Sequence, residues 1–176
     1  MSQGAPTKTD WPVGKWFDTP AKRLRDAQTG CAFDVLTGGV GNNRHIYFNR
    51  ANFTGDGRYA IFLSDRTGSW QVYAYDINHQ RTRRLTNAAV NPHRPSIDPL
   101  RPLIYYVQDS AVHRLHLDTL EDTVIYTHPT PEGGTFLLMD ISGDGHYLGF
   151  MEIGPYDKTG DVSIDFVRRF EARPWS

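Results

Sequence analysis

Two short polar clusters hold the residues of this sequence that are best suited to bind an anion. Each cluster begins with asparagine and ends with an adjacent arginine and histidine. Arginine offers a planar fork of N–H donors that matches a carboxylate, and histidine adds a donor whose charge depends on pH. The alternative is that these are ordinary polar residues of surface loops. The predicted substrate-binding residues are Arg44, His45, His93 and Arg94.

Other polar motifs do not form a metal site or a catalytic centre. His113 and His116 are three residues apart on a predicted strand, so they point to opposite faces and cannot chelate one ion. Asp56-Gly57 and Asp144-Gly145 look like fragments of a calcium loop, but no further carboxylates follow at the spacing that such a loop requires. We therefore predict no metal ligand and assign no catalytic residue within the chain.

A repeated turn indicates which elements position the two clusters. Gly55-Asp56-Gly57 and Gly143-Asp144-Gly145 each precede an apolar run of strand-forming residues. Their aspartates are 144 − 56 = 88 residues apart, and a degenerate copy at Asp98-Pro99 lies about halfway between them. A period of about 44 residues, made of short alternating strands, is typical of β-propeller blades. In a propeller the loop that leads into the innermost strand opens on the ligand-binding mouth, and each polar cluster falls in such a loop.

The pattern predicts an all-β fold, a partial β-propeller of about two to three four-stranded antiparallel blades. We expect an N-terminal extension over residues 1–25 and the partial propeller over 26–176. Two or three blades leave strand edges open, so we expect completion by further propeller blades or by self-association. The predicted units are an outer strand at 31–37, a blade at 44–86, a second blade at 93–127 and an incomplete blade at 135–176.

Composition excludes several classes of partner. The net charge of −1 favours neither nucleic acid nor an anionic membrane, and the chain has one cysteine, Cys31, which excludes an intrachain disulfide. Residues Met1 to Lys15 contain no apolar run of the secretory kind. We therefore expect a cytoplasmic protein without nucleic-acid or membrane partners.

Several segments resemble the N-terminal portion of the oligogalacturonate lyase family. The combination of His-x-Tyr-Phe, Phe-Thr-x-Asp-Gly and Ser-Asp-Arg-x-Gly is the most specific part of the resemblance. The last two elements also occur in TolB-like propellers and in the propellers of prolyl-oligopeptidase relatives. The segments run from Asp26 to Thr37, from His45 to Phe48, from Phe53 to Arg58, from Phe62 to Gly68 and from Glu171 to Pro174.

The resemblance implies a seven-bladed propeller with WD40-like repeats and a polysaccharide lyase activity. The reaction would be β-elimination on short, anionic galacturonate oligomers during pectin breakdown in the cytoplasm. It would use Mn²⁺ or another divalent metal. The family's metal ligands and base come from later blades and match no position up to Ser176, so we expect this chain to bind no metal and to be inactive alone.

Two other functions stay open. The chain is alternatively a non-catalytic TolB-like segment that serves as a binding or assembly surface, or a remnant without a function of its own. The Ser64-Asp65-Arg66 motif fits all of these, because it predicts a turn between two strands, capped by aspartate and holding an Asp–Arg charge pair.

Overall fold

The computed structural model contains strands and turns and, among the residues that it describes, no helix. It describes residues 11–37, 39–46, 50–87, 95–128, 135–153, 164–165 and 170–171. The all-β fold class is confirmed. No helix in this part of the chain is long and apolar enough to cross a membrane. The strands are β1 (Trp16–Asp18), β2 (Lys22–Arg25), β3 (Ala32–Val35), β4 (Asn43–Arg44), β5 (Tyr59–Ser64), β6 (Gln71–Asp76), β7 (Arg81–Arg84), β8 (Ser96–Ile97), β9 (Leu103–Gln108), β10 (Ala111–His116), β11 (Asp122–Thr127), β12 (Thr135–Ile141), β13 (Tyr147–Ile153), β14 (Ile164–Asp165) and β15 (Phe170–Glu171).

Apart from β2 and β3, which form a separate two-stranded sheet, the strands form three successive antiparallel sheets, which we call blades 1, 2 and 3. Blade 1 contains β4 to β7 in chain order, with β1 added as a fifth strand beyond β7. Blade 2 contains β8 to β11 in chain order. Blade 3 contains β12 and β13, and both β14 and β15 pair with β13. The innermost strand of each blade is the first in the chain, as a propeller requires.

The side chains of β5 point alternately to the two faces of blade 1, and each set packs in a different apolar cluster. Tyr59, Ile61 and Leu63 belong to the apolar cluster that blade 1 shares with blade 2. Ala60 and Phe62 point the other way and pack in a cluster with the N-terminal segment. A strand with both faces covered has few positions for polar residues, which is why this run contains only one, at its end.

Blade 2 uses the same alternation to join its two neighbours. Ile104 and Tyr106 of β9 face blade 1, whereas Leu103, Tyr105 and Val107 pack against blade 3. Burial of side chains of this size contributes about 1.5–3 kcal/mol each, so the contacts between blades contribute strongly to stability.

The Gly-Asp-Gly turns lie at the end of the blades opposite to the start of the innermost strands, and they join neighbouring blades. In blade 1 the Asp56 carboxylate accepts hydrogen bonds from Thr54 Oγ1 at 2.6 Å and from the Arg58 amide at 3.0 Å. Gly55 lies so close to the carbonyl of Pro99 in blade 2 that a Cβ atom would overlap it. The first glycine of this turn is therefore required by packing between blades.

The corresponding turn of blade 3 repeats the local hydrogen bonds. Asp144 accepts from Ser142 Oγ at 2.5 Å and from the His146 amide at 3.1 Å. The Arg101 guanidinium of blade 2 donates to the carbonyl of Gly145. The turn aspartates thus organise hairpins and contacts between blades.

Residues 11–25 of the predicted N-terminal extension include two strands, β1 and β2. β1 pairs with the outer strand of blade 1, where the Trp16 ring lies 4.6 Å from the Arg81 guanidinium and 4.4 Å from that of Arg83. β2 pairs with β3, which lies within the predicted outer strand at 31–37. In the described part of the chain no other strand pairs with β3.

Candidate functional site

The first polar cluster lies at the end of blade 1 where the innermost strand begins. We call this end of the blade the upper end. In β4, Asn43 pairs with Ser64 and Arg44 pairs with Leu63, and His45 follows directly. Arg44 and His45 are both exposed, as expected for residues that reach a ligand.

The pairing of the innermost strand with β5 is interrupted beyond Arg44. Among the described residues, the next pair after Arg44–Leu63 is the bridge between Phe53 and Ala60. His45 follows Arg44 directly and pairs with no described residue of β5. Irregularities in a strand redirect side chains away from the sheet, and they are common beside functional sites.

The Arg44 guanidinium has no carboxylate partner among the described residues, unlike five other arginines there. Its guanidinium lies over the Trp70 ring, 4.3 Å from the ring centroid. Stacking of this type orients the guanidinium and leaves its N–H edge available to a second group. By contrast, ion pairs join Arg58 to Asp118, Arg81 to Asp76, and Arg101 to Asp98. Trp70, which directly precedes β6, was not among the sequence candidates.

An open apolar groove of about 510 Å³ runs along the inner part of blade 1 beside these residues. Arg44 and His45 form part of its polar rim, and Phe53, with 52% of its surface exposed, forms part of its apolar wall. The remaining lining residues include Leu36, Thr37, Asn52, Phe62 and Tyr75.

The loop that leads into β4 is fastened to the turn between β5 and β6. The Asp65 carboxylate accepts hydrogen bonds from the backbone and the side-chain amide of Asn42, both at 2.7 Å. Gly41, with φ of 68°, packs against the backbone of Arg66. The predicted Asp65–Arg66 charge pair does not form, because the Arg66 guanidinium points into the blade, where aromatic rings and hydrogen-bond acceptors hold it.

Arg50 joins the innermost strands of all three blades. Its guanidinium donates to the hydroxyl of Ser96 in β8 and lies 3.8 Å from the Asp140 carboxylate of β12. The Ser96 hydroxyl in turn donates to the Met139 carbonyl at 2.7 Å. No sequence pattern indicated Arg50, since its partners are 46 and 90 residues away in the chain, 96 − 50 and 140 − 50.

Within the described residues, this site contains neither the second polar cluster nor the histidines His113 and His116. His93 and Arg94 lie outside the described residues. His113 contacts the Asp122 carboxylate at 3.1 Å, whereas the Nδ1 atom of His116 accepts a backbone N–H, so the two histidines serve separate structures. Within the described ranges, no group of three or more His, Cys, Asp or Glu side chains is arranged to hold a metal ion.

Known structures assign this architecture to the β-propellers. An oligogalacturonate lyase from Vibrio parahaemolyticus superposes with a TM-score of 0.72 at 23% identity, over 81% of this chain and 38% of that one. An oligogalacturonate lyase in complex with manganese gives 0.71 at 27% identity, over 80% of this chain and 38% of that one. TolB from Acinetobacter baumannii gives 0.55 at 12% identity, over 86% of this chain and 35% of that one. The chain is therefore part of an all-β propeller.

The family follows from the sequence match. The family described as Oligogalacturonate lyase matches residues 13–151, which is most of the chain. No curated protein matches it. The chain belongs to the oligogalacturonate lyase family, and it spans 38% of the length of the two solved lyases.

Proposed function

We propose that this chain supplies part of the carboxylate-binding surface of an oligogalacturonate lyase. Arg44 and His45 would contact the carboxylates of a short galacturonate oligomer at the upper end of blade 1. The observation that carries the proposal is the geometry of Arg44. It is exposed, it is held over Trp70, and it has no carboxylate partner among the described residues of a chain that belongs to this family.

The chemistry gives such a cation a clear role. β-Elimination beside a uronate removes the proton α to the carboxylate, and negative charge develops on that carboxylate as the proton leaves. A guanidinium that binds the carboxylate through two N–H groups stabilises this charge and fixes the sugar ring. Arg44 is suited to this role because its guanidinium edge carries several donors in one plane.

The described residues do not fit a manganese site, because they contain no suitable cluster of ligands. The relative that is described as a complex with manganese indicates that the metal belongs to the family. We therefore assign no step of the reaction to a metal held by these residues. We propose that the metal and the base come from further blades and that this chain alone binds substrate without cleaving it.

Binding to digalacturonate tests the proposal directly. The 176-residue chain is titrated with digalacturonate at low salt, and amide chemical shifts are followed by NMR. We expect shifts at Arg44 and His45, and a loss of affinity of about tenfold in Arg44→Ala, since a charge-assisted hydrogen bond contributes about 1.5–3 kcal/mol. His45→Ala should weaken binding less.

Two controls make the result specific. Arg84→Ala removes an arginine of the outer strand β7 whose guanidinium donates to Asn87, and it should leave the affinity unchanged. The uncharged galactose disaccharide should not bind. The proposal fails if digalacturonate leaves the shifts of Arg44 and His45 unchanged, or if Arg84→Ala and Arg44→Ala weaken binding equally.

A second function, as an assembly surface, is favoured by the apolar wall of the groove. Phe53 is more than half exposed there, and β3 has a strand edge without a partner in the described part of the chain. Open edges and apolar grooves of this kind are suited to further blades or to another copy of the chain. Size-exclusion chromatography of the wild type and of Phe53→Ser separates the two functions. If the groove is an assembly surface, Phe53→Ser changes the oligomeric state of the chain, whereas a groove that only binds ligand leaves it unchanged.

A further inference from the structure

Arg66 is a cation buried among aromatic rings. Only 1% of its surface is exposed. Its guanidinium carbon lies 4.6 Å from the ring centroid of Trp11, 4.7 Å from that of Tyr73 and 5.3 Å from that of Phe62. Burial lowers the pKa of the Arg66 guanidinium, but an arginine keeps its charge in proteins. A buried charge is costly unless it is compensated, and the ring faces supply part of that compensation.

The donors of Arg66 supply the rest, and they reach both ends of the loop that leads into β4. Nε donates to Ser64 Oγ at 3.1 Å, which anchors the side chain to its own strand. Nη2 donates to the Thr37 carbonyl at 3.2 Å and to Asn43 Oδ1 at 2.9 Å. Thr37 precedes the loop, and Asn43 is the residue directly before Arg44.

We infer that Arg66 is a positioning residue for the carboxylate-binding pair, and that it holds the backbone from which Arg44 and His45 project by clamping Thr37 and Asn43. This inference rests on the proposed function, since it explains how that site keeps its shape. It also assigns a role to the Ser-Asp-Arg motif, because Asp65 accepts a hydrogen bond from Asn42 while Arg66 donates one to Asn43.

A lysine cannot replace Arg66 in this role. The clamp needs one planar group that lies between rings and donates in two directions at once, whereas an ammonium is a compact point charge that binds water strongly. Arg66→Lys therefore keeps the charge and removes the clamp. Trp11 belongs to the same arrangement, and it comes from the N-terminal segment, so that segment contributes to the site without contacting ligand.

The test compares Arg66→Lys and Asn43→Ala with Arg81→Lys in the whole chain. Arg81 is a matched control, because it also lies over a tryptophan, Trp16 at 4.6 Å, but it is at the opposite end of blade 1. We expect digalacturonate affinity to fall about tenfold in Arg66→Lys and about fivefold in Asn43→Ala, and to change less than about twofold in Arg81→Lys.

A double-mutant cycle separates positioning from general stability. If Arg66 acts through Arg44, then Arg66→Lys should have little further effect on affinity in the Arg44→Ala background. Additive losses in the double variant would overturn the inference, because they would mean that the two residues act independently.

Amide hydrogen exchange provides a readout that needs no ligand. Arg66→Lys should speed exchange at residues 42–46 about tenfold and leave the strand Gln71–Asp76 unchanged. Unchanged exchange at 42–46, or equal acceleration over the whole of blade 1, would overturn the inference. If the wild type does not bind digalacturonate but exchange responds locally, the proposed function fails and the positioning role stands.

Discussion

Blades 1 and 2 have the same strand order, but they differ in the connection between their second and third strands. In blade 1, residues 65–70 join β5 to β6. In blade 2, only Asp109 and Ser110 join β9 to β10, and their φ angles are 47° and 60°. A two-residue turn with both angles positive fits the twist of paired strands, and it is four residues shorter than the connection in blade 1.

The longer connection of blade 1 contributes side chains to the candidate site. It contains Asp65 and Arg66, which hold the loop before β4, and Trp70, which stacks with Arg44. The repeat therefore supplies the scaffold, and one extended turn supplies the contacts that position Arg44. The two blades also differ at their outer edges. β1 covers the edge of blade 1, whereas no described strand covers β11 of blade 2.

The largest expected effect comes from the contact between the two blades. Gly55→Ala should lower the free energy of unfolding by about 3 kcal/mol, because its methyl group would overlap the backbone carbonyl of Pro99. Gly143→Ala is the matched control in blade 3, since a Cβ there meets no atom within 4 Å, and it should change stability by less than about 0.5 kcal/mol. Urea unfolding followed by circular dichroism gives both values, and equal losses would contradict the role of this contact.

The next largest effect concerns the outer edges. Trp16→Ala should cost about 2 kcal/mol, because it removes the ring that packs on Tyr59 and lies over Arg81 and Arg83. Val124→Ala in β11 is the comparison in blade 2, where the side chain is half exposed, and it should cost less than about 0.5 kcal/mol. Thermal unfolding of both variants checks the difference. A similar loss at both positions would mean that β1 does not stabilise blade 1 in particular.

Blade 2 should respond to acid through one carboxylate that bridges three of its strands. Asp122 accepts a hydrogen bond from the Tyr106 hydroxyl and contacts His113. Burial raises the pKa of Asp122, but the hydrogen bonds from His113 and Tyr106 outweigh it, so the pKa lies below its usual value. A carboxyl group of this kind stabilises the fold above its unfolded pKa of about 3.9, and the stabilisation is lost as pH falls through the folded value.

The wild type should therefore lose more stability than Asp122→Asn between about pH 5 and pH 3. The difference should be about 0.5–1 kcal/mol, because the carboxyl group is partly exposed to solvent. Glu121→Gln, at the exposed neighbouring position, should follow the wild type. Melting temperatures at the two pH values test this, and parallel curves for the wild type and Asp122→Asn would contradict it.

The last comparison concerns the two turns themselves, and Ser110→Gly has the smallest expected effect. Ser110→Gly should stabilise blade 2 by about 0.5 kcal/mol, since glycine adopts a positive φ without steric cost. Gly68→Ala in the turn of blade 1, where φ is 94°, should destabilise by about 1 kcal/mol. Urea midpoints that move in the same direction would show that backbone strain does not distinguish the two connections.

Much of the scaffold was predictable from local pattern. The Gly-Asp-Gly turns and the alternating apolar runs, such as Tyr59 to Leu63, indicated blades, because turn chemistry and strand periodicity are properties of neighbouring residues. The exposed positions of Arg44 and His45 also followed from this pattern. The division at residue 25 and the roles of His93 and Arg94 stay predictions.

The aromatic surroundings of Arg66 were not predictable. The sequence pattern favoured an Asp65–Arg66 charge pair, which is the simplest arrangement for neighbouring opposite charges. In the fold, Arg66 lies between Trp11 and Tyr73 and donates to Asn43, so its contacts come from three separate segments. Trp70 and Arg50 were missed for the same reason, because each acts on a residue far from it in the chain.

The sequence by itself determined the repeat, the strands, the turns and the family, because each of these depends on short patterns of neighbouring residues within single segments. Only the tertiary structure decided which polar residues come together. A buried cation such as Arg66 is stable only where rings and acceptors from distant segments meet around it, and that meeting is a result of packing.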